Sequence, residues 1–300
     1  MAERVSEEEE LESVAATTPG MLRLLLGNRV AVTAGLVVIA FFAIGLLAGV
    51  LTPHDPNAQH PEAIRATPFW QADADARFLL GTDSLGRDLL SRMMYGARVS
   101  ILLGVVVVLL TLVVGAGLGM LAGYFRGRFD VVMSRVVDTL LAFPFLIFAL
   151  AIMAATGPNL VALVLALAFK GWVDFYRVAR GDVLAARAAD YVTAARGLGA
   201  STPHILLREI LPNIVPPLIV LATLRMATII IAEASLSFLG IGVPPSIPAW
   251  GTMVADGRAD VGSAWWIATF PGLAILALVL AVNLFGEGLR DVLDPRMRKT

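Results

Sequence analysis

Long apolar stretches alternate with polar ones along this chain of 300 residues. Residues 30–51 and 99–125 carry no charged side chain, and residues 139–169 continue uncharged for 31 positions. A helix of about 20 apolar residues crosses the ~30 Å hydrocarbon core of a membrane. The third stretch is too long for one span, and a Gly-Pro-Asn sequence at residues 157–159 interrupts it. We therefore predict two helices joined by a tight turn.

Two more apolar stretches, residues 213–231 and 265–286, complete the pattern, and the first of them contains Arg225. Together the stretches predict an all-α polytopic membrane protein with six transmembrane helices. The composition agrees, because 58% of the residues are hydrophobic and 16% are charged, whereas a soluble domain is nearer a quarter charged. Pro144 is expected to kink the third transmembrane helix.

The distribution of positive charge predicts how the chain crosses the membrane. With the N-terminus inside, the inner segments hold 16 Lys and Arg residues and the outer segments hold 6. Cytoplasmic loops carry the excess of positive charge, so we expect both termini in the cytoplasm. Residues 1–29 are then a cytoplasmic tail and pre-helix, 30–51 the first span, 52–98 an extracytoplasmic loop, and 99–300 a core domain with five spans.

The end of the extracytoplasmic loop has a helical pattern of its own. Thr82 or Asp83 is expected to cap a helix on which Leu85, Leu89 and Met93 form an apolar stripe. Such a stripe suits a helix lying along the membrane interface. A contact site for a soluble partner is the alternative.

Five glycines in the second span predict close packing against another helix, since a small residue lets two backbones approach. They are Gly104, Gly115, Gly117, Gly119 and Gly123.

Four ionisable residues fall in or beside the predicted spans: Lys170, Asp174, Arg225 and Glu233. An ionisable group there costs at least about 2.5 kcal/mol, so each must face protein or water. Lys170 and Asp174 are four residues apart and can pair on one helix face. For Arg225 and Glu233, a position on a translocation path and a buried interhelical ion pair both remain open.

Several classes of function are excluded or disfavoured by composition. The chain has no cysteine, which excludes disulfides, and its net charge of −1 argues against nucleic-acid binding. Neither lysine, Lys170 or Lys299, follows the glycine frame of a phosphate-binding loop, so no ATP site is predicted. We predict no catalytic, cofactor-binding or metal site. His54 and His60 are interpreted as solvated loop residues, with a shared metal as the weaker alternative.

Residues 190–216 form a polar, charged interruption between apolar stretches. Residues 191–200 predict a short helix rich in alanine, followed by a turn at 201–203 and a second helix with Pro203 in its first turn. Leu211-Pro212 is expected to end that helix where the chain re-enters the membrane. The result is a helix–turn–helix that protrudes from the bilayer. Periodicity alone also allows an ordinary amphipathic connector.

Five motifs then stand in order along the chain: GTDSLGRDLLSRMMYGARVS, DYVTAARGLGAS, LREILPN, EASLSFLGIG and PAWGTM. With them, the chain from Phe78 onward resembles the second membrane subunit of the dipeptide/oligopeptide/nickel branch of ABC importers. The single span before Thr52 also fits. The resemblance implies the type I ABC importer permease fold, in a bacterial inner membrane, with the subunit forming half of a translocation path for dipeptides or short peptides.

The resemblance further implies that residues 190–216 are the EAA loop, which docks on a cytoplasmic ATPase. It assigns this coupling role to four residues: Ala194, Ala195, Gly199 and Pro212. Two positions depart from the general pattern, because Thr193 stands where glutamate is typical and Glu209 where isoleucine is typical.

The partners implied by the resemblance are a related permease subunit, one or two ATPase subunits that bind the ATP, and an extracytoplasmic peptide-binding protein, all acting at a lipid membrane. The alternative function is a secondary carrier or channel that uses the intramembrane charges. A carrier has no need of a docking loop of this kind.

Overall fold

The computed structural model describes residues 25–72 and 74–293, and within them the named elements are helices, with no strand. The predicted tail up to residue 24 and the basic end from residue 294 lie outside this described part. In chain order the main helices are α1 Arg29–Leu51, α2 Leu89–Phe125, α3 Gly127–Ala142, α4 Phe145–Thr156, α5 Leu160–Ala186, α6 Asp190–Gly197, α7 Thr202–Phe238, α8 Trp250–Gly257 and α9 Trp266–Leu293. The predicted all-α class is confirmed.

Four helices, α1, α2, α7 and α9, are long and apolar enough to cross a membrane. The pair α3 and α4 makes a fifth candidate if it is one span, bent by 84° where Pro144 precedes α4. Helix α5 has 27 residues, but Lys170 and Asp174 lie in its middle. The predicted six spans are therefore an approximate count, and the kink expected at Pro144 is a complete break.

The turn predicted between the third and fourth spans is present. Helix α4 ends at Thr156, and Gly157 follows with a φ of +71°, a conformation that glycine adopts without a Cβ penalty. Asn159 caps α5, because its side chain accepts hydrogen bonds from the backbone N–H groups of Val161 and Ala162. Local sequence alone therefore places this boundary.

Residues 52–88, which we call the cap, fold into turns and one short 3₁₀ helix before α2 begins. The predicted helix start at Thr82 or Asp83 is wrong. Asp83 instead accepts hydrogen bonds from the backbone of Leu85 and Arg87, at 2.9 and 3.0 Å, and so closes a turn. Asp88 is the actual N-cap, and α2 then runs without a break through the predicted interfacial stretch into the second span.

Helices α2 and α5 pack along a ladder of glycines. A Cβ added at Gly115, Gly119 or Gly123 would collide with a backbone carbonyl of α5. The carbonyls that they face belong, in that order, to Trp172, Tyr176 and Arg180. Both series repeat every four residues, so the two backbones approach along one face of each helix. The predicted packing role is confirmed for these glycines, whereas Gly117 faces open space.

Candidate functional site

The first candidate site is the helix–turn–helix formed by α6 and the start of α7. The turn is closed by two backbone hydrogen bonds, from Gly199 to the Arg196 carbonyl and from Ala200 to the Ala195 carbonyl, each 3.0 Å. With Gly199 at a φ of +79°, these bonds make the Schellman arrangement that ends many helices. Gly199 therefore shapes the turn itself.

Helix α7 begins where the sequence predicted, with Ser201 at the N-cap position and a proline in the first turn. The predicted end at Leu211-Pro212 is wrong, because α7 continues to Phe238. The backbone widens into a π-helical turn at Ile205–Ile210, and the Leu211 N–H bonds to the carbonyl of Leu206, five residues back. This wider turn accommodates the ring of Pro212, which in a regular helix clashes with the carbonyl four residues earlier.

One side of the helix–turn–helix is anchored in the core. Val192, Ile205 and Ile210 are at most 1% exposed. Arg187, just after α5, donates a hydrogen bond of 2.6 Å to the carbonyl of Tyr124 near the end of α2. Arg196 of the loop also lies against this end of α2, with its guanidinium carbon 5.9 Å from the centroid of the Tyr124 ring, so the loop contacts the ends of both α2 and α5.

The opposite side of the loop carries an apolar tip. Leu198 is 89% exposed, the highest value among the exposed large hydrophobic side chains of the described residues. Of the four residues assigned to ATPase coupling, Ala194, Gly199 and Pro212 are exposed, whereas Ala195 packs partly against the core. Sequence reasoning missed Leu198, although an apolar residue between two glycines in a polar segment was a usable signal.

The second candidate site lies among the spans. Arg225 of α7 forms an ion pair with Asp174 of α5, with 2.9 Å between Nη2 and Oδ1. Lys170 instead donates to the carbonyl of Phe143, at 3.1 Å. The expected pairing of Lys170 with Asp174 is therefore replaced by an interhelical pair, because α7 places a guanidinium closer to the carboxylate. All three charged side chains line a cavity of about 210 Å³.

Glu233 lies apart from that cavity and is 1% exposed. Its carboxylate accepts hydrogen bonds from Ser100 of α2, at 3.2 Å, and from Ser237 of its own helix, at 2.8 Å. Arg225 thus lies on the wall of the cavity, whereas Glu233 is buried in hydrogen bonds with two serines. The structure does not pair the two residues. Their place on a translocation path stays a prediction.

His54 and His60 lie close together in the cap, with ring centroids 5.9 Å apart, and both rings pack against Phe78. The part of the chain that the structure describes contains no group of three or more potential ligands arranged for a metal ion.

Comparison with known proteins identifies the architecture. Residues 115–299 match the family model for the binding-protein-dependent transport system inner membrane component, and residues 20–68 match that for the N-terminal transmembrane domain of oligopeptide transport permease C. Two crystal forms of the MetNI methionine ABC transporter in inward-facing conformations superimpose with TM-scores of 0.54 and 0.56. They are 20% and 18% identical and cover 68% of this chain and 96% and 97% of theirs, which supports the fold.

Curated relatives are closer in sequence. The di/tripeptide transport system permease protein DppC of Pseudomonas aeruginosa is 45% identical over 84% of both chains. The dipeptide transport system permease protein DppC of Escherichia coli K12 is 45% identical over 91% of both. The chain therefore belongs to the family of inner-membrane permease components of binding-protein-dependent ABC importers, and it has their type I permease fold.

Proposed function

We propose that this permease subunit forms half of a translocation path for dipeptides or short peptides, and that the α6–α7 loop couples the path to a cytoplasmic ATPase. The observation that carries the coupling role is the contrast between the two sides of the loop. Its inner side is buried and attached to α2 and α5, while Leu198 projects from the outer side. An apolar side chain so exposed suits the apolar core of an interface with another protein.

Leu198 and three of the four residues assigned to coupling then each have a physical part. Leu198 is the anchor that enters the ATPase groove. Gly199 holds the turn in the shape that presents Leu198, and Ala194 leaves room for the facing surface. Ala195 ties the turn to the core, so that a displacement of the loop reaches the spans.

The energy source and partners follow from what the sequence contains. The sequence holds no phosphate-binding loop, so ATP binds to one or two ATPase partners, and this subunit is not itself an enzyme. A related permease subunit completes the path, and an extracytoplasmic peptide-binding protein delivers the substrate. The charge asymmetry supports a cytoplasmic position for the loop and for both termini.

The test is ATP hydrolysis and dipeptide uptake by the full complex in proteoliposomes, with Leu198→Asp compared with Gly181→Asp. Gly181 is exposed on α5 with open space around its Cβ position, so the control adds the same charge outside the loop. We expect Leu198→Asp to lower peptide-stimulated ATP hydrolysis and uptake at least tenfold, roughly the loss of one central anchor. Equal activity of the two variants would remove the loop from the coupling step.

A secondary carrier is the second candidate, and the ionised cluster around Arg225 is the observation that favours it. The same proteoliposomes decide between the two. Peptide uptake driven by an ion gradient, in the absence of any ATPase subunit, would support the carrier and contradict the importer.

A further inference from the structure

If α5 starts at one surface of the membrane, the cavity beside Arg225 lies near the middle of the hydrocarbon core. Lys170 is ten residues beyond the start of α5 at Leu160, which corresponds to ~15 Å along the helix, half of the ~30 Å hydrocarbon thickness. Helices α2 and α4 contribute Thr111 and Phe145 to the wall. Four helices thus enclose a space of about 210 Å³ at this depth.

The charges on the cavity wall do not cancel. Lys170, Asp174 and Arg225 are the charged residues of its lining, two cations and one carboxylate. The 2.9 Å pair joins Asp174 to Arg225, while Lys170 donates a hydrogen bond to the neutral carbonyl of Phe143. An ammonium has three N–H donors, so this bond uses one of them. A net positive charge at mid-membrane is costly unless an anion or water compensates it.

The pair itself remains accessible from the cavity. The side chains of Asp174 and Arg225 are 33% and 35% exposed, so neither is sealed as Glu233 is. The rest of the wall includes the apolar side chains of Phe145, Leu167 and Ile229. A ligand that fits both parts carries a negative group for Lys170 and Arg225 and an apolar body.

We propose that this cavity is a transient binding site for a carboxylate, the C-terminal carboxylate of a short peptide in transit. Lys170 and Arg225 bind the carboxylate, and Asp174 holds Arg225 in position. The proposal rests on the proposed function, because a peptide reaches this depth only if the subunit transports it. We expect binding here to be weak, because Arg225 already pairs with Asp174. Weak binding allows the transported peptide to leave the site.

The absence of cysteine from the sequence permits a direct test in the full complex. Thr228→Cys places one thiol on the cavity wall. The thiol is reacted with an anionic sulfonatoethyl thiosulfonate and, separately, with a cationic trimethylammonioethyl thiosulfonate, each rate divided by that for a free thiol. We expect the anionic reagent to be favoured about tenfold, the effect of one nearby unit charge in a partly hydrated site.

The charge of Lys170 is then removed without removing its hydrogen bond. Lys170→Gln keeps an N–H donor for the Phe143 carbonyl, and we expect it to bring the rate ratio close to one. Arg177→Gln is the matched control on the same helix, because Arg177 is 55% exposed and pairs with Asp138 at 3.7 Å, away from the cavity wall. A ratio unchanged by Lys170→Gln, or no reaction with either reagent, would overturn the proposal.

Competition with peptide identifies the ligand group. Without the binding protein, so that its selectivity does not enter, a millimolar dipeptide should slow modification of Thr228→Cys, and the same dipeptide amidated at its C-terminus should not. Equal protection by both would refute carboxylate binding. These measurements use no ATP, so their failure is distinguishable from failure of the importer function, which is seen as uptake without ATPase subunits.

Discussion

The cap and the α6–α7 loop are both polar interruptions of an apolar chain, yet they are built in opposite ways. Each contains a glycine in the left-handed region, Gly86 at a φ of +73° and Gly199 at +79°. A Cβ at Gly86 would collide with the carbonyl of His60, whereas a Cβ at Gly199 would meet no atom within 4 Å. A glycine in the same backbone conformation is therefore closely packed in the cap and has open space around it in the loop.

Their charged residues differ in the same way. In the cap, Asp83 is 2% exposed and pairs with Arg87 at 2.6 Å, and it also faces the equally buried Arg92 of α2. In the loop, His204 and Glu209 lie 3.6 Å apart with side chains 41% and 32% exposed. The cap thus buries the ion pairs of Asp83, while the loop leaves its ion pair exposed.

The largest expected effect comes from Asp83→Asn. The variant keeps an acceptor for the turn but leaves the buried guanidinium of Arg92 without its carboxylate, 3.5 Å away. Breaking a buried pair from one side costs about 3–5 kcal/mol, and thermal unfolding of the purified complex in detergent should show the loss. The control is Glu209→Gln, expected to cost under about 1 kcal/mol because its pair is exposed. Similar losses of stability in both variants would contradict the contrast between a buried ion pair in the cap and an exposed one in the loop.

The glycines give the next largest difference. Gly86→Ala combines left-handed strain with the collision at His60, and we expect a loss of about 3 kcal/mol in unfolding free energy. Gly199→Ala brings the strain alone, about 1–2 kcal/mol. Denaturant titration of both variants measures the difference. If Gly199→Ala proved the more damaging to stability, the loop would be packed more tightly than its surroundings indicate.

Leu198→Ala separates stability from docking. Because the side chain is 89% exposed, we expect the unfolding free energy to change by no more than about 0.5 kcal/mol. Affinity for the ATPase subunit should fall at least tenfold, as for truncation of an anchor residue. Binding of the separately purified ATPase to permease in nanodiscs gives the affinity. A large loss of stability with unchanged affinity would reverse the assignment.

The smallest effect is expected for Asp256→Asn at the edge of the cap. Burial raises the pKa of the Asp256 carboxyl above its ordinary value, and the nearby Arg87, 3.4 Å away, offsets part of the rise. At neutral pH the fold therefore disfavours the ionised form, so the variant should be equally stable or more stable, within about 0.5 kcal/mol. As pH falls through the raised pKa, native Asp256 becomes protonated and the difference should vanish. Melting curves from pH 7 to pH 4 test this.

Much of the fold was predictable where the signal was local. The Gly-Pro-Asn turn, a change of helix direction at Pro144 and the start of α7 before Pro203 each depend on a few neighbouring residues. The continuation of α7 past Pro212 was not predictable in this way, because it depends on a π-helical turn that widens the backbone just before the ring.

The sites were predictable to a lesser extent because they depend on pairings between distant elements. The spacing of Lys170 and Asp174 indicated a pair within one helix, but Asp174 meets Arg225 across 51 positions of sequence. The resemblance assigned Gly199 to coupling, and the structure adds that this residue ends α6. Such roles follow from the packing of whole helices.

The glycine ladder between α2 and α5 has a consequence for movement. Its contacts repeat every four residues, so sliding one helix along the other by less than about 6 Å would place side chains against carbonyls. The glycine contacts therefore fix the position of one helix along the other, and we expect the two helices to move as a rigid unit. Since the loop contacts the ends of both, the proposed coupling predicts that a push on Leu198 is transmitted along the two helices to the charges halfway up α5.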